Sequence, residues 1–162
     1  MQPLAARVVV ADSGPLIALG RLDELSLLAH IFAQVQVPRA VLAECLARPE
    51  LPDAIRIQKA VASGLLLPCD ARTVDVAGLG PGESAAIGYA IDTGATLLAD
   101  DLAARKYAHA QGIVVIGTLG VLVFAKHKGL VHAVRPLVEQ LRATGQRLSH
   151  SAVAQALVAA GE

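Results

Sequence analysis

Short apolar runs alternate with longer amphipathic stretches along this chain. Five of the runs are too short for helices and are bounded by Gly, Pro, Asp or Gln, so they predict strands. These runs are residues 7–11, 35–37, 65–67, 95–99 and 113–116. Strands that alternate with helices favour a parallel sheet. We therefore predict an α/β fold with a central parallel sheet of about five strands and helices on both faces.

Apolar positions at helical spacing, bounded by Pro, Gly, Ser or Asp, predict the helices. They cover residues 16–19, 22–31, 39–47, 52–64 and 83–92, a segment from 102, and then 121–128, 134–144 and 151–160. The last helix is almost all Ala, Val and Leu, so we expect it to pack on the domain or on a second copy. Ser149 or Ser151 is its expected cap.

The 162 residues fit one domain, with no repeat and no convincing linker. No apolar run approaches the roughly 20 residues of a membrane span. Asp12 interrupts the first apolar run, which argues against a signal peptide. The two cysteines, Cys45 and Cys69, lack metal-type spacing and predict buried thiols in a reducing compartment. We expect a cytoplasmic protein that has no membrane partner.

Acidic residues follow two of the predicted strands. Asp12 comes after the first, and Asp100 and Asp101 come after the fourth. Parallel α/β sheets bind ligands at the carboxyl ends of their strands. Adjacent carboxylates repel each other, and a bound divalent cation would keep both ionised. The alternative for Asp12 and Asp101 is that each only caps the helix that follows.

Two glutamates lie near helix ends. Glu44 falls close to the apolar stripe of its helix, where it needs a partner, or it pairs with Arg48 at the rim. Glu83 follows a glycine-rich segment, residues 78–82. That segment lacks the Lys-Ser/Thr of a P-loop and the spacing of a dinucleotide site, so it is weak evidence for phosphate binding. Glu83 could equally stabilise its helix N-terminus.

If these acids converge, their oxygen atoms select Mg²⁺ or Mn²⁺. Such a pocket suits metal-assisted hydrolysis of phosphodiester bonds. No Ser-His-Asp or Cys-His pattern offers another nucleophile. A small-molecule phosphatase with a nucleophilic Asp-x-Asp is disfavoured because Gly14 stands two residues after Asp12.

Charge is balanced overall but unevenly placed. The chain has 14 Lys and Arg against 14 Asp and Glu, yet residues 102–150 hold seven basic residues and one acid, Glu139. A cationic half beside an acidic cluster suits a polyanion held against metals. Ordinary solvated helix faces would give the same count. Aromatic residues make up only 2% of the chain, which leaves little surface for stacking bases.

Five motifs in fixed order resemble the PIN-domain family, and especially its VapC-like proteins. They lie at residues 8–17, 37–44, 80–87, 98–105 and 117–120. The resemblance covers residues 7–130 and leaves 131–162 for C-terminal helices of the same domain. It implies a three-layer α/β/α PIN-like fold and a Mg²⁺- or Mn²⁺-dependent ribonuclease. Many such proteins are toxins, usually homodimers, that a small antitoxin protein silences.

The resemblance also implies roles for individual residues. Asp12 matches the first family acid, Glu44 the second, and Glu83 the third, where many relatives have Asp. Asp101 matches the fourth, with Asp100 as an auxiliary ligand. Ser13 and Thr118 match polar positions that hold metal-bound water, and Arg105 and Lys106 are candidate phosphate contacts, although Arg105 could instead pair with an acid of the site.

The expected function is thus a metal-dependent endoribonuclease, the toxin of a toxin–antitoxin pair. The alternative is a non-catalytic module of the same fold that docks an antitoxin or nucleic acid.

Overall fold

A computed structural model describes residues 3–162. All five strands are parallel and lie in the order β3-β2-β1-β4-β5. The strands are β1 (Val8–Ala11), β2 (Gln34–Pro38), β3 (Leu67–Cys69), β4 (Thr96–Leu98) and β5 (Val115–Ile116). The predicted parallel sheet with helices on both faces is confirmed.

Nine α-helices connect and flank these strands in the described part of the chain, after a short 3-10 helix at Leu4–Ala6. They are α1 (Ser13–Arg21), α2 (Ser26–Ile31), α3 (Arg39–Cys45), α4 (Pro52–Ala62), α5 (Pro81–Thr93), α6 (Leu102–Ala110), α7 (Thr118–His127), α8 (Arg135–Ala143) and α9 (His150–Ala159). Among residues 3–162, no helix is long and apolar enough to cross a bilayer.

Strands β3 and β5 begin later than predicted, because the residues before them form hydrogen bonds with the end of the preceding helix. The amides of Leu65 and Leu66 both donate to the carbonyl of Ala60, so they close α4 and β3 begins only at Leu67. In the same way, the amide of Ile113 donates to Ala108 and closes α6. An apolar run directly after a helix therefore predicts the strand a few residues too early.

Helix starts differ from prediction for similar reasons. Leu22 caps the end of α1, and Asp23 has a positive φ of 56°, so α2 begins at Ser26 instead of Leu22. At α5 and α7 the helix starts earlier than predicted, at Pro81 and Thr118, directly after a glycine N-cap. The apolar pattern alone therefore predicts these helix starts a few residues too late, whereas the preceding glycine marks the N-cap.

The central strands contribute side chains to two separate hydrophobic cores, one on each face of the sheet. Val9 and Ala11 of β1 face one core, which α1, α2, α3, α4 and α7–α9 complete. Val10, between them, faces the other core with small residues of α5 and α6 such as Ala86 and Ala104. Alternation along a strand sends neighbouring side chains to opposite faces, and both faces of this sheet are covered.

The segment after β3 lies across α5. A Cβ atom placed on Gly88 would collide with the carbonyl oxygen of Arg72, so the two backbones touch there. The Val74 amide also donates to the Ser84 carbonyl at 3.3 Å. At the surface beside this contact, Arg72 Nε donates to both carboxylate oxygens of Asp92. These contacts hold the glycine-rich segment at the start of α5.

The last helix packs on the domain, mainly against α7. Ser149 caps it, because its Oγ accepts from the Ala152 amide at 3.1 Å. Beyond α9, the Glu162 carboxylate accepts from the Val134 and Arg135 amides at 2.7 and 3.1 Å and from Lys126 Nζ at 3.1 Å. These bonds hold the pKa of Glu162 down to about 2.

Candidate functional site

Two acids flank the point where the strand order reverses. Strand β1 lies between β2 and β4, and Ala11 pairs with Leu98. Asp12 follows at once, and its amide donates to the Leu98 carbonyl at 2.9 Å. Asp100 stands two residues beyond the end of β4. Open parallel sheets bind ligands in the crevice at such a switch point.

The Asp12 carboxylate is buried at this switch point. It is only 4% exposed, and although Asp12 is the N-cap residue of α1, its side chain does not cap the helix. Within residues 3–162, its Oδ1 atom has no hydrogen-bond partner. Burial and the charges of Glu83, Glu44 and Asp100 together raise the pKa of Asp12 to about 7, although a hydrogen bond from the Ser13 amide acts in the opposite direction. A buried carboxylate oxygen without a partner favours a bound cation or a proton.

Glu44 reaches the site from the last turn of α3. Its Oε1 accepts from the Gly82 amide at 2.9 Å. A Cβ atom on Gly82 would lie 2.6 Å from each carboxylate oxygen, so glycine is required for this approach. The alternative pairing with Arg48 does not occur, because Arg48 pairs with Glu50 at 3.4 Å. The glycine-rich segment thus holds a carboxylate, and the phosphate-cradle interpretation finds no support.

Glu83 stabilises the N-terminus of its own helix, and its charge also acts on Asp12. Its Oε2 accepts from the Gly80 amide at 3.1 Å, which is half of a capping box. Because only one oxygen is used in that bond, the other remains for a ligand. The charge of Glu83 also raises the pKa of Asp12, so its role at the helix start does not exclude the predicted place in the site.

Asp100 is oriented by the start of α7. The Thr118 amide donates to Asp100 Oδ1 at 2.8 Å, and Thr118 Oγ1 donates to Oδ2 at 2.5 Å. Thr118 is only 2% exposed. A Cβ atom on Gly117 would lie 3.0 Å from Asp100 Oδ1 and 2.7 Å from Arg105 Nη1, so the chain packs closely here. Thr118 thus orients the Asp100 carboxylate, and its expected role in holding metal-bound water stays a prediction.

Asp101 has a different role from its neighbour. Its Oδ2 accepts from the Ala104 amide at 3.0 Å and caps α6. It is not among the charges that act on Asp12, whereas Asp100 is. The resemblance gave Asp101 the fourth place and made Asp100 auxiliary; the contacts show Asp101 capping α6 and Asp100 held by Thr118, and the order of the two as ligands stays a prediction. In this strand-to-helix turn the side chain that caps the helix is that of Asp101.

The remaining candidates lie around the crevice. Ser13 is half-buried at the first position of α1. Arg105 Nη1 donates to the Ala99 carbonyl at 2.9 Å, so the guanidinium is fixed beside Gly117. In the part of the chain that the structure describes, Arg105 forms no ion pair with a site acid. Lys106 is exposed on α6.

A comparison with models of protein families agrees with the resemblance carried by the five sequence motifs. A model of a protein family described as a PIN domain matches residues 8–162. The chain belongs to the PIN-domain family. PIN domains are generally nucleases, so a nuclease-type function follows for this chain.

Comparisons with solved structures and with curated proteins give no further information about function. One solved structure that the chain is similar to is a PilT N-terminus domain protein from the hyperthermophilic archaeon Sulfolobus solfataricus P2. It shares 15% sequence identity with this PIN domain, with a TM-score of 0.47, over 88% of this chain and 98% of the archaeal chain. A search of curated proteins finds no significant match.

The acids of this PIN domain fit a hard divalent cation by their chemistry. All four donors that face the crevice are carboxylates, and the orphaned Oδ1 of Asp12 stands among them. Among the residues that the structure describes, however, no three His, Cys, Asp or Glu side chains are close enough to hold one metal ion as they stand. The carboxylates of Glu44 and Glu83 are each held by one backbone amide, so rotation about their side-chain bonds can bring a second oxygen inward.

Proposed function

We propose that this chain is a metal-dependent endoribonuclease that hydrolyses RNA phosphodiester bonds with Mg²⁺ or Mn²⁺. The observation that carries the proposal is the Asp12 carboxylate, buried at the switch point of the sheet with an unpartnered oxygen. Three further acids from separate parts of the chain act on it. Family membership supports a nuclease, and this arrangement supports a metal-dependent one.

Each residue has a task that its contacts favour. Asp12 offers the central ligand oxygen, and Thr118 fixes both oxygens of Asp100 toward the crevice. The amides of Gly80 and Gly82 hold Glu83 and Glu44 by one oxygen each. When bound, a divalent cation lowers the pKa of an attacking water and stabilises the leaving oxygen.

Positively charged side chains beside the acids suit the negatively charged phosphates of RNA. Arg105 lies next to Asp100, held by the Ala99 carbonyl, and its remaining N–H groups are available to a phosphate. Lys106 is the next residue on α6 and is exposed. The basic stretch 102–150 continues this positive character away from the crevice.

We further propose that this nuclease is the cytoplasmic toxin of a toxin–antitoxin pair, acts as a homodimer, and is silenced by a small antitoxin protein. The support is the VapC-like order of its motifs. Co-purification with the product of a short adjacent reading frame, followed by loss of RNA cleavage in the complex, would test this role. Full cleavage activity in the complex would contradict it.

The catalytic proposal is tested by cleavage and by metal binding measured separately. We expect purified protein to cleave RNA with Mn²⁺ or Mg²⁺ and to stop in EDTA. Asp12→Asn should abolish cleavage and weaken Mn²⁺ binding in calorimetry. Asp92→Asn is the matched control, because Asp92 pairs with Arg72 at the surface near the other end of α5. Equal Mn²⁺ binding by wild type and Asp12→Asn would exclude the proposed metal site.

One observation favours the non-catalytic alternative, in which the acids only dock a basic segment or the fold binds nucleic acid. As they stand, no three potential ligands in residues 3–162 converge on one point. RNA binding without cleavage at any Mn²⁺ concentration would support that alternative. Cleavage that is lost in both Asp12→Asn and Asp100→Asn would contradict it.

A further inference from the structure

Helix α9 is attached to the rest of the domain through one narrow face. Its buried side chains are Val153 and Ala156, with Ala160 buried directly after it and Leu157 half-buried beside them. This face packs mainly against α7. So few small side chains bury little apolar surface, whereas ordering a helix costs conformational entropy at every residue. Packing alone therefore holds α9 weakly, and the contacts at its two ends become important.

Glu162 makes several contacts just beyond the end of α9. Its carboxylate accepts hydrogen bonds from the Val134 and Arg135 amides at the start of α8 and from Lys126 Nζ on α7. The Arg135 guanidinium also donates to the Glu162 carbonyl at 3.4 Å. Bonds to a charged carboxylate are stronger than neutral ones, and the side chains of Lys126 and Glu162 are only 24% and 14% exposed. We call Glu162 with these partners the latch.

The turn between α8 and α9 is open to solvent. Gly145, in this turn, has a φ of 88°, and a Cβ atom there would meet nothing within 4 Å. Beyond the backbone bonds that end α8, one side-chain hydrogen bond ties the turn to α1, from Arg21 Nη1 to Gln146 Oε1 at 3.1 Å. An open glycine turn before the helix and an ionic contact after it resemble the hinge and the fastening of a strap.

Helix α9 also forms one wall of a groove that leads to the acids. This groove has a volume of about 870 Å³, and Asp100 and Gly117 of the candidate site line its inner end. Residues 146–149 and one side of α9 line the opposite wall. If α9 leaves α7, that wall is removed and the approach to Asp100 widens.

We propose that α9 is a strap, hinged at Gly145 and held by the latch, that opens while the sheet stays folded and so regulates access to the acids. This inference rests on the proposed nuclease function and adds the regulation of its site. Proteins open locally in cooperative units, and segments with few buried apolar contacts open at a lower free energy than the core. The closed strap restricts bulky folded RNA, and the open strap admits it.

The first test asks whether α9 opens separately from the sheet. Amide hydrogen exchange is followed by NMR at Val153 and Ala160 of the strap and at Leu97 and Ala99 at the end of β4. Ile87 is fully buried on the opposite face of the sheet, so Ile87→Val weakens the core without touching α9. We expect this variant to speed exchange about threefold or more at β4 and less than twofold in α9. Equal acceleration at both places would mean that α9 opens only with the whole domain, and this would overturn the proposal.

The second test releases the latch. Glu162→Gln removes the charge from its bonds, and we expect hydrogen exchange at Val153 to become at least tenfold faster. Glu139→Gln is the matched control, because Glu139 is exposed on α8 and forms no ion pair among the described residues. It should change exchange less than twofold. The Val134 and Arg135 amides lose their partner directly, so they are not used as reporters. Equal exchange at Val153 in the two variants would overturn the latch.

The third test measures cleavage of two RNAs, a folded hairpin and a short unpaired oligonucleotide. Because the hairpin reaches the acids only when the strap is open, Glu162→Gln should raise its cleavage by the same factor as the exchange of the α9 amides. Cleavage of the oligonucleotide should change less than twofold, and Glu139→Gln should change neither rate. A hairpin rate that stays at the wild-type value while α9 exchange rises would overturn the regulatory role.

These outcomes separate the strap from the proposed function. If wild type cleaves neither RNA at any Mn²⁺ concentration, the nuclease proposal fails, and the exchange rates of Ile87→Val and Glu162→Gln still decide whether α9 opens as a strap. If both RNAs are cleaved but α9 exchanges only together with β4, the nuclease is supported and the strap is overturned.

Discussion

Thr118 donates two hydrogen bonds to Asp100, one from its amide to Oδ1 and one from its hydroxyl to Oδ2. Asp100 is exposed, while Thr118 is almost fully buried. A well-packed helix start therefore orients a surface carboxylate toward Asp12. This pair links strand β4 to helix α7 across the candidate site.

Removing the hydroxyl of Thr118 should weaken metal binding more than it weakens the fold. Groups that orient a ligand typically contribute roughly 10- to 100-fold to metal affinity. We expect Thr118→Val to raise the Mn²⁺ Kd by about tenfold or more in calorimetry, because Asp100 loses one of its two bonds. Thr118→Ser keeps the hydroxyl and should stay near wild type. Equal affinity in all three proteins would show that Asp100 needs no such orientation.

The two neighbouring aspartates should differ when each is changed. Asp100→Asn should lower RNA cleavage by about 100-fold or more, since it removes a charge that faces Asp12. Asp101→Ala should instead lower the free energy of unfolding by about 1 kcal/mol through loss of the α6 cap. Cleavage rates and urea titrations of both variants test this. Loss of cleavage in Asp101→Asn, which can still cap α6, together with an active Asp100→Asn, would restore Asp101 to the fourth acid place.

Asp12 should make the metal-free protein less stable as pH rises. Its pKa is about 7 in the folded chain and 3.8 for a freely solvated aspartate, so the folded state binds the extra proton between these values. Stability contributed by the protonated form is complete below pH 3.8 and is lost as pH rises to 7, by about 4 kcal/mol at most. Asp12→Asn should flatten this slope in urea titrations with EDTA, and Mn²⁺ should offset the loss in wild type above the folded pKa. A wild-type profile that rises over the same pH range would contradict the prediction.

A methyl group at Gly82 should move Glu44 without unfolding the domain. Its Cβ would lie 2.6 Å from both Glu44 oxygens, which belong to a flexible side chain that can withdraw. We expect Gly82→Ala to lower Mn²⁺ affinity and RNA cleavage by roughly tenfold while the urea midpoint stays within error of wild type. Gly80→Ala is the control, because a Cβ there meets nothing within 4 Å. Equal cleavage by the two variants would remove Glu44 from the site.

The sheet and its surrounding helices could be predicted because each signal is local. Strand runs such as Val8–Ala11 are apolar and β-branched, and a buried parallel strand needs little else. Errors arose where apolar residues continue past a helix, as at Leu65 and Leu66. There the choice between strand and turn depends on the Ala60 carbonyl, which the pattern does not show.

The candidate site was predictable as a set of acids but not as an arrangement. Asp12, Glu44 and Glu83 could be selected by type and position, yet the choice between Asp100 and Asp101 depends on which one caps α6. A Gly-Thr pair after β5 was the available signal for Asp100, but its partner lies 18 residues away. The approach of Gly82 to Glu44 spans 38 residues and has no local signature.

The pairing of β1 with β4 joins Val9 to Thr96, although the two residues are far apart in the sequence. A chain still on the ribosome has Asp12 early but lacks Asp100 and Thr118 until most of its length has been made. Its early acids cannot meet Asp100 and Thr118 during that time. In the proposed ribonuclease, synthesis order would therefore delay RNA cleavage until the chain has been made at least as far as Thr118.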